Sequence, residues 1–504
     1  MPIRRPPIRR LAGAAVVLLV GMACAGGDRT TGPPGPPPPT PTERIAPVGG
    51  TDQRAPAGTE LPVGFTVLAA DGQGQPVPGI TVRWAVQAGG GSLSADSTVT
   101  GPDGRASVVL TLGGAGPQTV VATAPGLNAV SQQDREASFA ATALPTGGPY
   151  LLVQVPIPPN YGIHDTFVRD GLAFVCAWNS GLMIYDVGNG IKGGSPSHPV
   201  PVSTIVTAGG QVHNAWWFHN PATGEKRYVF VGQEGPGQVG VRSSGDIHVV
   251  DVSDLENPRE VASYHQSDVN GQTAGTHNFW MDEANQVLYA AYYNGGVVAL
   301  DVSGTLSGSL TGRLLARFAP GAQPYVWGLQ LYNGSIYASD MTGGFWQLQR
   351  NGSVITAVGG GNNVDDRWTS DLWVQGGYAY TGTWGSIPRN GALGDALKVW
   401  HLDAGGAPVL VDSVITANIN TVSDVEVSAN GKLLMFSAEG SSNDGFHFYG
   451  LADPAHPAFL AKYNVAQGVH TASLGYIGGR VYAFGAVNPG NPNLMILDVT
   501  ELAQ

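Results

Sequence analysis

The sequence predicts an all-β protein: a two-sheet sandwich, then a seven-bladed β-propeller closed by a strand from its own N-terminal side. Three observations carry this. A polar pair followed by a short apolar alternation recurs seven times. The pairs are His164-Asp165 before T-F-V, His213-Asn214 before A-W-W-F, His277-Asn278 before F-W-M, Trp327-Gly328 before L-Q-L, Ser370-Asp371 before L-W-V, Ser423-Asp424 before V-E-V and His470-Thr471 before A-S-L. The intervals run from 43 residues (327 to 370) to 64 (213 to 277), which suits units of up to four short strands. Each pair opens one plan of strand, turn, strand, turn, strand, as in G-L-A-F-V-C-A-W then G-L-M-I-Y-D-V and Q-V-L-Y-A-A-Y-Y then G-V-V-A-L-D-V. Residues 45–145 lack this repeat and show period-2 runs between Gly, Pro and Asp turns, the pattern of a sandwich.

Composition narrows the class. The 504 residues imply more than one domain. Gly 73 and Pro 37 supply turn dihedrals, while 42% hydrophobic and only 12% charged residues argue against disorder. A net charge of −12, with no basic run beyond the first ten residues, excludes nucleic acid as a partner. Two cysteines cannot build a disulfide framework, so stability has to come from buried apolar area.

Residues 1–23 read as an export signal: four arginines, then the apolar run L-A-G-A-A-V-V-L-L-V-G-M-A, too short to span a bilayer as a helix. Ala23-Cys24-Ala25-Gly26 follows and resembles the lipobox of bacterial lipoproteins, with Gly21 where that motif prefers Leu. The resemblance implies acylation at Cys24, and with it a protein held at the outer membrane or cell surface by its lipid alone. Residues 24–44 hold T-G-P-P-G-P-P-P-P-T-P-T, a polyproline stalk.

In 45–145, runs such as G-I-T-V-R-W-A-V and A-S-V-V-L-T-L predict an immunoglobulin-like sandwich with Trp84 in its core. D-G-Q-G-Q-P-V-P-G-I-T-V-R-W, G-P-D-G-R-A-S-V-V-L-T-L-G and F-A-A-T-A resemble the bacterial immunoglobulin-like domain of the invasin and intimin type, which implies a spacer in a cell-surface protein. A-L-P-T-G-G-P at 143–149 is expected to be a hinge. The propeller then occupies 149–504, with Y-L-L-V-Q-V-P (150–156) supplying the outer strand of the last blade and removing two open sheet edges. Its third strands, G-L-M-I-Y-D-V and G-D-I-H-V-V-D-V-S-D among them, resemble the LVIVD repeat of bacterial secreted propellers.

In a propeller the first strand of each blade lines the channel, and the turn between second and third strands opens at the same mouth. His164, Asp165, His213, Asn214, His277, Asn278, Asp371, Asp424 and His470 therefore converge from first strands, and Asn179, Gln233, Glu234, Asn294, Asp340, Trp384 and Glu439 from second-strand ends. His164, His213, His277 and His470 lie on four consecutive blades once the ring closes, a set able to hold a transition metal such as Zn or Cu. The competing reading is structural: a polar residue in each blade bonds its neighbour's backbone. Cys176 is expected to be a buried inert thiol, and His198, His219, His265, His401, His447 and His456 to lie in outer strands or loops.

Three functions compete at this stage. The first is a lipid-anchored surface module that binds a cell-surface protein, a glycan or a small ligand. The second is a metal-dependent enzyme with its site at the channel mouth. The third is a structural envelope protein.

Overall fold

The computed structural model describes residues 43–158, 162–234, 245–266, 275–320, 324–361, 367–385, 391, 393–403, 407–487 and 491–504. The signal segment 1–23, Cys24 and the stalk up to residue 42 lie outside the described residues.

The sandwich begins at the last stalk position, with strand Arg44–Gly49. Its runs bury alternate residues, as in Phe65–Ala70, where Phe65, Val67 and Ala69 face inward. One sheet has the order Arg44–Gly49, Phe65–Ala70, Arg105–Val108. The other runs Gln53–Pro56, Glu136–Leu144, Gly116–Thr123, Thr81–Ala88, Ser97–Val99. Between them Phe139 stacks on Phe65 at 4.8 Å and tilts against Trp84 at 5.8 Å. The Trp84 indole N–H donates to Thr98 Oγ1 at 2.8 Å, so the buried ring leaves no polar atom unpaired.

The segment 143–149 is not the free hinge its Gly-Gly-Pro suggests. Leu144 is buried among propeller residues, and Gly147 N–H donates to Glu501 Oε2 at 2.6 Å. Arg54 of the sandwich adds two bonds to the propeller. Its guanidinium donates to Leu152 O at 3.2 Å, and its backbone N–H donates to Ser197 Oγ at 2.9 Å. Contacts on both sides of the linker fix what composition alone would leave loose.

The propeller strands fall into groups of four. Blade 1 is Asp165–Arg169, Leu172–Cys176, Leu182–Asp186, Val200–Ile205. Blade 2 is Val212–Phe218, Tyr228–Gln233, Ile247–Asp251, Arg259–Tyr264. Blade 3 is Phe279–Asp282, Val287–Ala291, Val297–Asp301, Leu314–Phe318. Blade 4 is Val326–Tyr332, Ser335–Asp340, Gly344–Asn351, Val354–Gly360. Blade 5 (Trp368–Gln375, Tyr378–Trp384, Ala396–His401, Val409–Ile415) joins blade 6 (Thr421–Val427, Leu433–Glu439, Gly445–Gly450, Ala458–Asn464) through the single pair Trp384↔Thr421. In blade 7, Val469–Ile477, Arg480–Val487 and Asn493–Asp498 are completed by Tyr150–Pro156, which runs antiparallel to the last of them from Tyr150↔Asp498 to Pro156↔Asn493. First strands touch first strands around a cycle that returns from blade 7 to blade 1.

The recurring Asp of the third strands has a local cause. Asp186 accepts from Gly188, Asn189 and Lys192 N–H groups at 2.7–3.0 Å, and Asp251, Asp301 and Asp498 each accept the N–H two residues on. Each carboxylate satisfies the turn that leaves its strand. Of the aromatic pairs, Trp217 packs on Phe174 of blade 1 at 5.2 Å, while Trp216 meets Trp280 of blade 3 at 5.3 Å.

Candidate functional site

A displacement of register decides what points into the channel. Where first strands pair with second strands, the ladder slips at Val212/Asn214, Val326/Gly328, Thr369/Leu372, Val422/Val425 and Val469/Thr471. His213, Trp327, Ser370-Asp371, Ser423-Asp424 and His470 occupy these bulges. A bulge re-aims a side chain and bends the strand, so the polar pair stops following simple alternation. Two layers result.

The outer layer is imidazole. His164 lies 3.7 Å from His213 and 4.4 Å from His470 between ring centroids, His213 lies 4.2 Å from His277, and His164 lies 6.2 Å from His277. All four sequence-predicted histidines therefore meet. They do so unequally. His164 Nδ1 stands 3.1 Å from His213 O, and a carbonyl only accepts, so Nδ1 carries the proton. With that ring neutral, His164 Nε2 is an acceptor, and His470 Nε2, 2.7 Å away, donates to it. His470 Nδ1 meets Glu439 Oε2 at 3.0 Å, so this pair shares one further proton.

Two nitrogens on one tetrahedral ion, each about 2.0–2.1 Å from it, stand about 3.3 Å apart. The 2.7 Å approach of His164 and His470 is therefore a hydrogen bond, and four-way ligation of one ion does not describe the cluster. Among the described residues no group of three His, Cys, Asp or Glu side chains is disposed to hold a metal. His213 and His277 differ from the other two. Both are buried, and His213 Nδ1, His213 Nε2 and His277 Nδ1 meet no partner at full hydrogen-bond geometry among the described residues, although Asn214 beside His213, and Asn278 and Trp327 O beside His277, act on those rings as hydrogen-bond partners. Burial, then the neighbouring imidazoles, lowers the pKa of His164, His213 and His277 well below the usual value, so all three are neutral.

Aromatic rings wall this layer. Trp178 sits 4.7 Å from His164, Trp327 4.1 Å and Tyr293 5.2 Å from His277. Tyr325 packs on Tyr293, and Trp384 on Trp327 and Trp368. Trp178 and Tyr293 hold φ of 47° and 40°, a left-handed backbone that bulky residues avoid. Each is pinned by paired backbone bonds to the next blade, Trp178 with Val212 and Tyr293 with Val326. Strain of about 1–3 kcal/mol persists only where its surroundings enforce it, and such strain gathers at binding sites. Glu234 Oε1 accepts the Tyr293 hydroxyl at 2.7 Å.

The inner layer is carboxylate. Asp371 Oδ1 accepts from Asn278 Nδ2 at 2.8 Å, a bridge from blade 3 to blade 5 that crosses blade 4 where Gly328 has no side chain. A Cβ there would stand 2.5 Å from Asp371 Oδ1. Asp424 accepts Ala472 N–H at 3.1 Å and Glu426 accepts Leu474 N–H at 2.7 Å, both from blade 7. Asp165 accepts Thr166 N–H at 2.7 Å. Burial and then mutual repulsion raise these acids: Asp165 to about 7, Glu426 to about 8 and Asp424 well above its usual range. Burial raises Asp371 to about 6 despite its hydrogen bonds, one of them with Asp424.

Other sequence candidates are local. Asp340 caps its own turn, accepting from Tyr325, Thr342 and Gly343 N–H groups. Asn179 accepts Gln211 N–H, and Gln233 Nε2 donates to Ala208 O. Asn214 Oδ1 lies over Gly232, where a Cβ would come within 2.1 Å. Cys176 is buried, and burial pushes its thiol up. His447 is not peripheral: it is buried in a third strand and bonds Asn443 O at 3.0 Å. Glu426 was not legible as a site residue, although it stands two positions from Asp424 on one strand face. The αL aromatics had only the signals W-N-S-G and Y-N-G-G.

An immunoglobulin-like domain joined to a β-propeller with LVIVD repeats is the class this geometry defines, and comparison agrees. Residues 48–138 match the bacterial Ig-like domain (group 1), and residues 241–266 and 366–387 match the LVIVD repeat. No curated protein matches. Among solved structures the chain is similar to the β-propeller domain of Myceliophteria thermophila Cps50 (Swd1), at 8% identity over 70% of this chain and 100% of that one (TM-score 0.48). It is also similar to a chain of a mitotic checkpoint complex, at 13% over 71% and 96% (TM-score 0.49), and to the computationally designed Ika8 protein, at 10% over 70% and 100% (TM-score 0.44). Likenesses this distant carry nothing about function.

Proposed function

We propose that this protein is an exported, lipid-anchored surface module whose Ig-like domain presents the propeller, and whose ligand seat is the imidazole and aromatic mouth of the channel. One observation carries the reading: the mouth combines buried imidazoles, three of whose nitrogens meet no partner at full hydrogen-bond geometry among the described residues, with two aromatic residues held in strained backbone. A purely structural ring gains nothing from either. Apolar walls with a few convergent polar groups describe a ligand site, and the ligand that fits is a small polar molecule or the end of a glycan, with ring faces for its apolar side.

Glycan and small-molecule arrays probed with the full chain test this. The expected result is a ligand bound by the wild type and lost at least tenfold with Trp178→Ala. Binding that persists in Trp178→Ala moves the ligand seat away from the channel mouth, and no binding at all favours the structural envelope reading. Anchoring is tested separately: Cys24→Ala should release the protein from the membrane fraction.

A further inference from the structure

We propose that the channel below the mouth holds a quaternary ammonium group, seated against an arc of aromatic rings that shares its level with Glu426. This seat is distinct from the mouth and does not rest on it. Its residues lie three positions past the start of each polar pair. Blades 1, 2, 3 and 5 place Phe167, Trp216, Trp280 and Trp373 there, and blades 4, 6 and 7 place Gln330, Glu426 and Ser473. The four aromatic rings form a continuous run. Their centroids lie 5.1 Å apart from Phe167 to Trp216, 5.3 Å from Trp216 to Trp280 and 5.9 Å from Trp280 to Trp373, at interplanar angles of 43°, 57° and 74°. No ring is stacked flat on the next, so ring face remains for another group.

Burial shows that this level opens on the lumen. Trp216, Trp280, Trp373 and Glu426 are each partly exposed, while the residues on both sides of each are buried. Core packing would close these side chains off from water. Tryptophan faces around a lumen attract a weakly hydrated cation.

Charge selects the same occupant independently. Asp165, Asp371, Asp424 and Glu426 lie along the channel, and the charges that act on them are other carboxylates and His470. Arg169, the one lysine or arginine on the described first strands, is paired with Glu283. Glu426 accepts Leu474 N–H, a task a glutamine would perform with no charge to bury. A cleft lined by acids without a base of its own concentrates cations from outside. A metal ion does not fit, since no three described His, Cys, Asp or Glu side chains are disposed to hold one. A trimethylammonium group does fit: its charge is spread over methyl groups that suit ring faces, and it needs no hydrogen bond.

Calorimetric titration of the full chain compares choline with neohexyl alcohol, the same shape with carbon in place of the charged nitrogen. One choline should bind, and the alcohol should bind about tenfold more weakly or worse. Trp280→Leu should weaken choline by a similar factor. Burial first, then Asp371 and Asp165, hold the Glu426 proton up to about pH 8, and Asp424 and Tyr476 face the same carboxylate. A cation displaces that proton, so choline should bind more tightly at pH 9 than at pH 6, and Glu426→Gln should reduce the rise. No choline binding, equal affinity for the alcohol, or an unchanged Trp280→Leu variant overturns the proposal. The alcohol comparison uses the wild type alone, so a misfolded variant cannot hide the answer. Phosphatidylcholine vesicles identify the source. Co-sedimentation that free choline competes away assigns the group to a lipid headgroup, and choline binding without co-sedimentation assigns it to a soluble molecule.

Discussion

The two layers of the channel are built from the starts of first strands on different blades, imidazoles on blades 7, 1, 2 and 3 and most carboxylates on blades 5 and 6, and they behave differently. Asp371, Asp424 and Glu426 each accept a hydrogen bond that spans from one blade to another. The His213 ring, one residue before Asn214, makes no bond to another blade among the described residues. The imidazole layer is mixed: His164 and His470 tie blades 7, 1 and 2 together, while the rings of His213 and His277 bond no side chain of another blade among the described residues. Which bonds are met separates the two better than position along a strand does.

The comparison can be broken hardest at Gly328. Gly328→Ala puts a Cβ into Asp371 and should cost about 3 kcal/mol in urea unfolding, because it severs the bridge as well as overpacking. Next comes pH. Glu426 holds its proton up to about pH 8 in the folded chain, but only to about 4.3 when unfolded. The folded state thus binds the extra proton between those values, and stability falls as pH rises through that window. Glu426→Gln keeps an acceptor for Leu474 and removes the loss, so at pH 9 it should be about 2 kcal/mol more stable than wild type, with little difference at pH 4.

A smaller effect of opposite sign is expected in the outer layer. His213→Leu replaces a buried imidazole whose nearest hydrogen-bonding group is Asn214 beside it, and should raise stability by about 1 kcal/mol in thermal melts at pH 7. A loss of that size instead would mean that His213 has a structural partner. Least of all, Arg54→Ala should move global stability by only about 0.5 kcal/mol. It should, however, speed amide exchange across 143–149, where the sandwich and propeller are pinned.

Much of this was legible. Seven polar pairs gave the repeat, and period-2 runs gave the sandwich. The convergence of His164, His213, His277 and His470 followed from blade order once Tyr150–Pro156 was placed beside the last blade. What could not be read was division of labour among them. That depends on five register slips, each a one-residue offset with no compositional mark, and on which nitrogen meets which oxygen. The hinge at 143–149 misled for a related reason. Gly147 and Pro149 report what the backbone permits, whereas Arg54, Ser197 and Glu501, distant in sequence, decide what it does.

The strand Tyr150–Pro156 has a consequence in time. It follows the sandwich directly in the chain, but the strand it pairs with comes only after all the other blades; the nearby bond from Gly147 to Glu501 spans 354 residues. Loop closure over such a distance is slow. Until that closure the strand is an unpaired edge, and in the closed ring the sandwich reaches it through Arg54, which donates to Leu152 O at the slip between Leu151 and Val153.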